Sequence, residues 1–116
     1  MIIEGTNMSM IRGDTESITI IMKNNYGEKI DFESGDIVYF TVKSDTKSDT
    51  KILQKVVTTF VDGNAEIFLS SNDTKDLPKY FSVFYYDVQI NKISDGSITT
   101  IIPPSKFIIQ DEITYE

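Results

Sequence analysis

A chain of 116 residues has room for one domain, spanning residues 1–116, and for a single hydrophobic core that needs no staples. Its 40% hydrophobic and 25% charged residues fit a globular domain and exclude both disorder and a membrane span, while the absence of cysteine excludes disulfides and thiolate metal sites. The net charge of −7 repels phosphate backbones, which argues against nucleic acid as a partner.

The start, Met1 to Gly5, has neither a basic stretch nor an apolar run closed by small residues, so it does not read as a signal peptide, and the product is expected to stay in the cytoplasm until something exports it. Asn7 to Met10 alternates two methionines with polar neighbours, and a turn at Gly13-Asp14 leads into the strand Glu16 to Met22, with Ile18, Ile20 and Met22 on one face. Asn24 to Gly27 turns the chain, Lys29 to Phe32 forms a short extended piece, and Glu33-Ser34-Gly35 turns again. Asp36 to Lys43 is a strand apolar on both faces: Val38, Phe40 and Val42 on one, Ile37 and Tyr39 with Thr41 on the other. Such a strand belongs in the middle of a sheet whose outer face is covered by another segment or by a partner.

The tandem Ser44-Asp45-Thr46-Lys47 and Ser48-Asp49-Thr50-Lys51 reads as a loop. A calcium loop built on Asp45 and Asp49 lacks the glycine and distal glutamate such loops use, so a solvated loop is preferred. Asp62-Gly63-Asn64 between Ile52–Val61 and Ala65–Leu69 predicts a β-hairpin. Ser70 with Asp73 predicts a capped helical turn, stopped by Pro78, and Tyr80 is the candidate for a tyrosine that anchors the following corner by its hydroxyl. Tyr80 to Ile90, with aromatics at 80, 81, 84, 85 and 86, is the expected central strand, with Phe84, Tyr86, Val88 and Ile90 inward. A turn at Ser94 to Ser97 returns through Ile98 to Ile102, Pro103-Pro104 interrupts the pairing by bending the strand or switching it between sheets, and Lys106 to Ile109 resumes it. Asp111 to Tyr115 adds a short edge piece.

These elements predict an all-β, Ig-like antiparallel β-sandwich with one short helical turn. Its expected core takes Ile18, Ile20, Val38, Phe40, Ile67, Leu69, Phe84, Tyr86 and Val88.

The inventory of chemical motifs is thin. With no histidine, no cysteine and Arg12 as the sole arginine, the usual carriers of neutral-pH proton transfer and phosphate recognition are missing or single, so a non-enzyme without cofactor or metal is expected. Arg12-Gly13-Asp14 spells an integrin-type tripeptide but stands where a strand must be entered, which favours a structural turn. Asp87 has no partner carboxylate at a predictable distance and is expected to pair across the sheet or with Arg12. The exposed aromatics Tyr39, Phe81 and Tyr85, with Ile37, are expected to mark an interface; the alternative is a carbohydrate-binding module in which the aromatics stack on sugar rings.

Arg12-Gly13-Asp14-Thr15 opening a strand, Gly35 to Lys43, Asp73 to Leu77, Tyr85-Tyr86-Asp87-Val88-Gln89, Asp95-Gly96 with Thr99-Thr100-Ile101, and Phe107-Ile108-Ile109 with Asp111 to Thr114 follow one another in an order that resembles the N-terminal Ig-like domain of phage baseplate upper proteins. The resemblance spans most of the chain. It implies a non-catalytic structural protein, made in the bacterial cytoplasm and assembled into a phage tail, baseplate or phage-tail-like bacteriocin. Its partners would be other tail proteins and copies of itself. Members of that family often carry further coiled-coil or receptor-binding regions, whereas a stand-alone sandwich is expected here, and Pro103-Pro104 stands where a glycine turn is usual.

Overall fold

Residues 1–79 and 82–113 are described by a computed structural model. Among them, in chain order, are β1 (Ile2–Glu4), β2 (Asn7–Ile11), β3 (Glu16–Ile20), β4 (Met22–Lys23), β5 (Lys29–Ile30), β6 (Ile37–Lys43), β7 (Leu53–Val57), β8 (Ala65–Leu69), α1 (Ser71–Lys75), β9 (Val83–Asn91) and β10 (Ile98–Gln110). The larger sheet runs β1-β2-β10-β9-β6-β7, the smaller is β3-β8, and β4-β5 forms a ladder of its own. All pairings are antiparallel except β2 beside β10. The order β10-β9-β6-β7 facing β3-β8, with a helical turn between β8 and β9, is the G-F-C-C′ over B-E arrangement of an Ig-like sandwich.

Period-two patterning decides which face of each strand is buried. In β9, Phe84, Tyr86, Val88 and Ile90 are buried while Tyr85, Asp87 and Gln89 are half-buried on the other side. β6 does the same with Val38, Phe40 and Val42. All nine expected core residues are buried, joined by Met8 and Met10 from β2 and by Phe107 and Ile109 from β10. Each fully buried large side chain contributes about 1.5–3 kcal/mol. Phe40, Tyr86 and Phe107 form a ring cluster with centroids 5.3, 6.2 and 6.3 Å apart, two of the pairs edge-on, as ring quadrupoles favour.

The Asp62-Gly63 turn forms, but the hairpin does not. Val61 and Asn64 exchange backbone hydrogen bonds of 3.1 and 2.9 Å around Asp62 (φ 53°) and Gly63 (φ 74°), the positive-φ pair that Asp-Gly provides. Beyond that bridge the two arms part, because β7 ends at Val57 and pairs with β6 while β8 pairs with β3. The chain changes layers here: Phe60 stacks on Phe32 with ring centroids 5.1 Å apart, and the Phe32 N–H donates to the Gly63 carbonyl at 3.0 Å. The expected strand Glu16 to Met22 splits for a related reason. Its ladder ends at Ile20 opposite Ala65, where β8 begins, and Met22 pairs with Ile30 instead.

Three further features concern the strands of the larger sheet. β1, which the sequence does not announce, folds back on β2 through Gly5 at φ 60°. The prolines interrupt the pairing as expected: Pro103 and Pro104 have no partner in β9, the register slips between Thr100 and Ile102 and again between Ile102 and Ser105, and of the two expected outcomes the strand bulges rather than moving to the other sheet. Of the edge piece expected over Asp111 to Tyr115, Asp111 to Ile113 carry no strand, since β2 and β10 part at Ile11 and Gln110, and Thr114 and Tyr115 lie outside the described residues. The helical turn is present, with the Ser70 N–H donating to Asp73 Oδ2 at 2.7 Å. Burial pulls the Asp73 carboxyl upward, but the Lys55 ammonium at 2.8 Å and the Ser70 N–H outweigh it and hold the group below its usual range. Tyr80, the candidate corner anchor, lies outside the described residues. A tyrosine assigned only to the core does such work: the Tyr86 hydroxyl donates to the Thr6 carbonyl and fastens the β1–β2 turn, and burial raises its pKa.

Candidate functional site

The outer face of the larger sheet collects the residues expected to act. Register places Tyr39 of β6 between Val56 of β7 and Gln89 of β9, with Ile37 beside Asn91 in the next row and Ile98 of β10 beyond it. In the other direction Thr41 lies between Gln54 and Asp87, and Lys43 faces Tyr85. Ile37, Tyr39 and Tyr85 therefore share one face, while Phe81 lies outside the described residues. Val56 and Ile98 are 53% and 69% exposed, so that end of the face is open among the described residues. The apolar positions do not form a continuous patch, because Gln89 and Asn91 stand between β6 and β10.

The surface dips here. An open depression of about 440 Å³ is lined by Tyr39, Thr41, Gln54, Asp87, Gln89 and Asn91, with lysines 43 and 51 and Ile98 at its margins. A smaller recess of about 70 Å³ adjoins it through Thr41, Lys43 and Asp87 and runs to Tyr85 and Pro104. Gln54 Nε2 donates to the Thr41 hydroxyl at 3.0 Å, which fixes the amide's orientation. Desolvation raises the pKa of Asp87, partly offset by the charge of Lys43 and a hydrogen bond from Gln89. Asp87 thus finds its partners on its own face rather than at Arg12. Tyr39 was legible from its parity in β6; the amides were not, because they meet it only through cross-strand register, which no local pattern records.

Arg12 is 2% exposed. Its Nη1 donates to the Thr74 and Leu77 carbonyls at 2.9 and 3.0 Å, and Nε lies 3.4 Å from Asp111 Oδ1. Gly13, at φ 86°, donates its N–H to Thr74 Oγ1 at 2.7 Å. The tripeptide is a structural turn whose arginine faces the protein. In the tandem loop, Asp45 Oδ1 accepts the Lys47 N–H at 2.9 Å, so that carboxylate closes its own turn.

The smaller sheet presents a second feature. Among the described residues β3 and β8 each have one neighbour, which leaves both outer edges unpaired. Ser17, Thr19, Glu66 and Phe68 point outward, and Phe68 is 57% exposed. Hydroxyls of Thr19 and Ser17 donate to Glu66 at 2.6 and 2.9 Å and hold its carboxyl below the usual range. A fixed negative charge therefore sits beside an exposed ring. Searches of protein-family models and of curated proteins find no match to this chain.

Proposed function

We propose that the chain is a non-catalytic structural subunit of a phage baseplate, tail or phage-tail-like particle, present in several copies and docking to neighbouring tail proteins through its smaller sheet. The observation that carries this reading is the two-stranded layer whose edges are both open among the described residues, with Phe68 standing out of it. Unpaired strand edges offer rows of N–H and C=O groups that another chain can continue, and free proteins usually blunt such edges. The ordered motifs that resemble baseplate upper proteins point the same way, as does a residue inventory without histidine or cysteine. Glu66 beside Phe68 favours a partner that places an apolar pocket inside a basic rim, and the net charge of −7 keeps free subunits apart before assembly.

Phe68→Glu combined with Ile21→Lys tests it, Ile21 being the residue just past the end of β3, exposed and of the same parity as Ser17 and Thr19. Both positions are exposed, at 57% and 48%, so the purified variant should keep its melting curve to within about 0.5 kcal/mol. Its copy number in purified particles, read by quantitative mass spectrometry, should fall to background. Normal incorporation of the double variant overturns the docking surface, and particles that lack the native protein overturn the structural role.

A further inference from the structure

We infer that the outer face of the larger sheet is a carbohydrate-binding site, in which Tyr39 supplies the platform for a sugar ring and the surrounding amides take its hydroxyls. The depression of about 440 Å³ falls within the range of small-ligand sites, roughly 300–1,000 Å³. Around the half-buried Tyr39 stand Gln54, Gln89 and Asn91, and a carboxamide offers donor and acceptor together. That dual character matches sugar hydroxyls, which also donate and accept. Gln89 and Asn91 also separate Tyr39 from Ile98, so the face offers a ring with polar groups around it, as a sugar site does.

Rigidity supports the same ligand class. Tyr39, Gln54 and Gln89 sit on three adjacent strands, so binding orders little backbone, and Gln54 is already held by Thr41. The charges define the class further. Lys43 acts on Asp87, which leaves Lys51 as the one lining charge outside that pair; a single lysine without arginine is a poor phosphate clamp. The ligand is therefore a neutral glycan. The recess at Tyr85 shares Thr41, Lys43 and Asp87 with the depression at Tyr39. Tyr85 pairs with Lys43, four residues along β6 from Tyr39, so the two rings mark a track roughly 14 Å long on the strand rise. An oligosaccharide, rather than a single sugar, spans it. The inference is independent of the assembly reading, because Phe68 and the open edges belong to the opposite layer.

The full chain is to be screened against neutral hexose and N-acetylhexosamine oligosaccharides of graded length, with heparin as a polyanion control, and hits measured by calorimetry. At least one neutral series should bind, more tightly as length increases and without loss on adding salt. Tyr39→Ala and Gln89→Ala should each weaken that binding about tenfold or more, the equivalent of one lost ring contact or buried hydrogen bond. Tyr85→Ala should weaken only the longer chains, and Phe68→Glu should change nothing. Melting curves accompany each variant; should Tyr39→Ala fail to fold, Gln89→Ala and Asn91→Ala decide. Absence of binding across the neutral series, undiminished binding by the folded variants, or salt-sensitive binding of heparin alone overturns the assignment.

Discussion

Arg12→Ala should lower the stability of the domain by about 3–5 kcal/mol, which is a large share of the roughly 5–15 kcal/mol that holds a domain of this size together. The loss follows from where the guanidinium lies. It enters from the β2–β3 turn and reaches the end of α1, 62 and 65 residues further on, to donate to the carbonyls of Thr74 and Leu77. The Thr74 carbonyl also accepts the Leu77 N–H at 3.2 Å, so the guanidinium adds a second donor there, and a cation at the end of a helix meets the favourable end of its dipole. Removing Arg12 takes that donor from the Leu77 carbonyl in a buried setting, and hydrogen bonds to charged groups are worth about 1.5–3 kcal/mol each. The ion pair with Asp111 is the smaller contribution, because Asp111 is 82% exposed and its contact is 3.4 Å long. Asp111→Asn should therefore cost less than about 1 kcal/mol. Arg12→Lys should recover only part of the loss, since a single ammonium cannot reproduce the planar fork. Urea melts of the three variants check the ranking. An Asp111→Asn loss equal to that of Arg12→Ala would show that the ion pair, and not the carbonyl contacts, carries the energy.

Arg12 also shows why part of this architecture was not legible in the sequence. A single arginine before a Gly-Asp turn reads as exposed, because charged side chains are rarely buried and nothing near it announces a helix end 62 residues away. The strands themselves were legible where alternation is strict. Val38-Phe40-Val42 and Phe84-Tyr86-Val88-Ile90 locate their buried faces without any knowledge of partners, and Ser70 with Asp73 locates the helical turn. Pairing was legible only where a tight turn forces it, as at Asp95-Gly96, and even that logic failed at Asp62-Gly63. There the turn chemistry is local and correct, but the flanking strands answer to different sheets, whose demands come from Phe60 against Phe32 and from the inward side chains of β7. The candidate site shares this limit. Tyr39 follows from parity, whereas Gln89, Asn91 and Gln54 join it only through the registers of β6 with β9 and β7.

Asp36→Ala should cost about 2–4 kcal/mol, a loss that falls on a different part of the molecule. Asp36 is fully buried. One carboxylate oxygen accepts the Glu33 N–H at 2.8 Å and closes the turn before β6, and the other accepts the Ile93 N–H at 2.9 Å, just past the end of β9. One side chain thus joins the entry of β6 to the exit of β9, the two strands that carry the amide-rich face. Gly35 shows how closely these segments pack: a β-carbon there would stand 3.0–3.3 Å from the Ile93 side chain, on a backbone at φ 99° that side chains rarely adopt. Alanine at 36 leaves both backbone donors without their carboxylate acceptor. Asparagine keeps one carbonyl oxygen but turns an NH₂ toward the other donor, so Asp36→Asn should fall between Asp36→Ala and the native protein. Thermal melts give the stabilities. Amide exchange gives the location: in both variants the Glu33 and Ile93 amides should lose protection, whereas the β3–β8 ladder should keep its own until the global transition. Equal loss of protection throughout the chain, or a melting shift for Asp36→Ala below about 1 kcal/mol, would show that Asp36 does not fasten the two strands together.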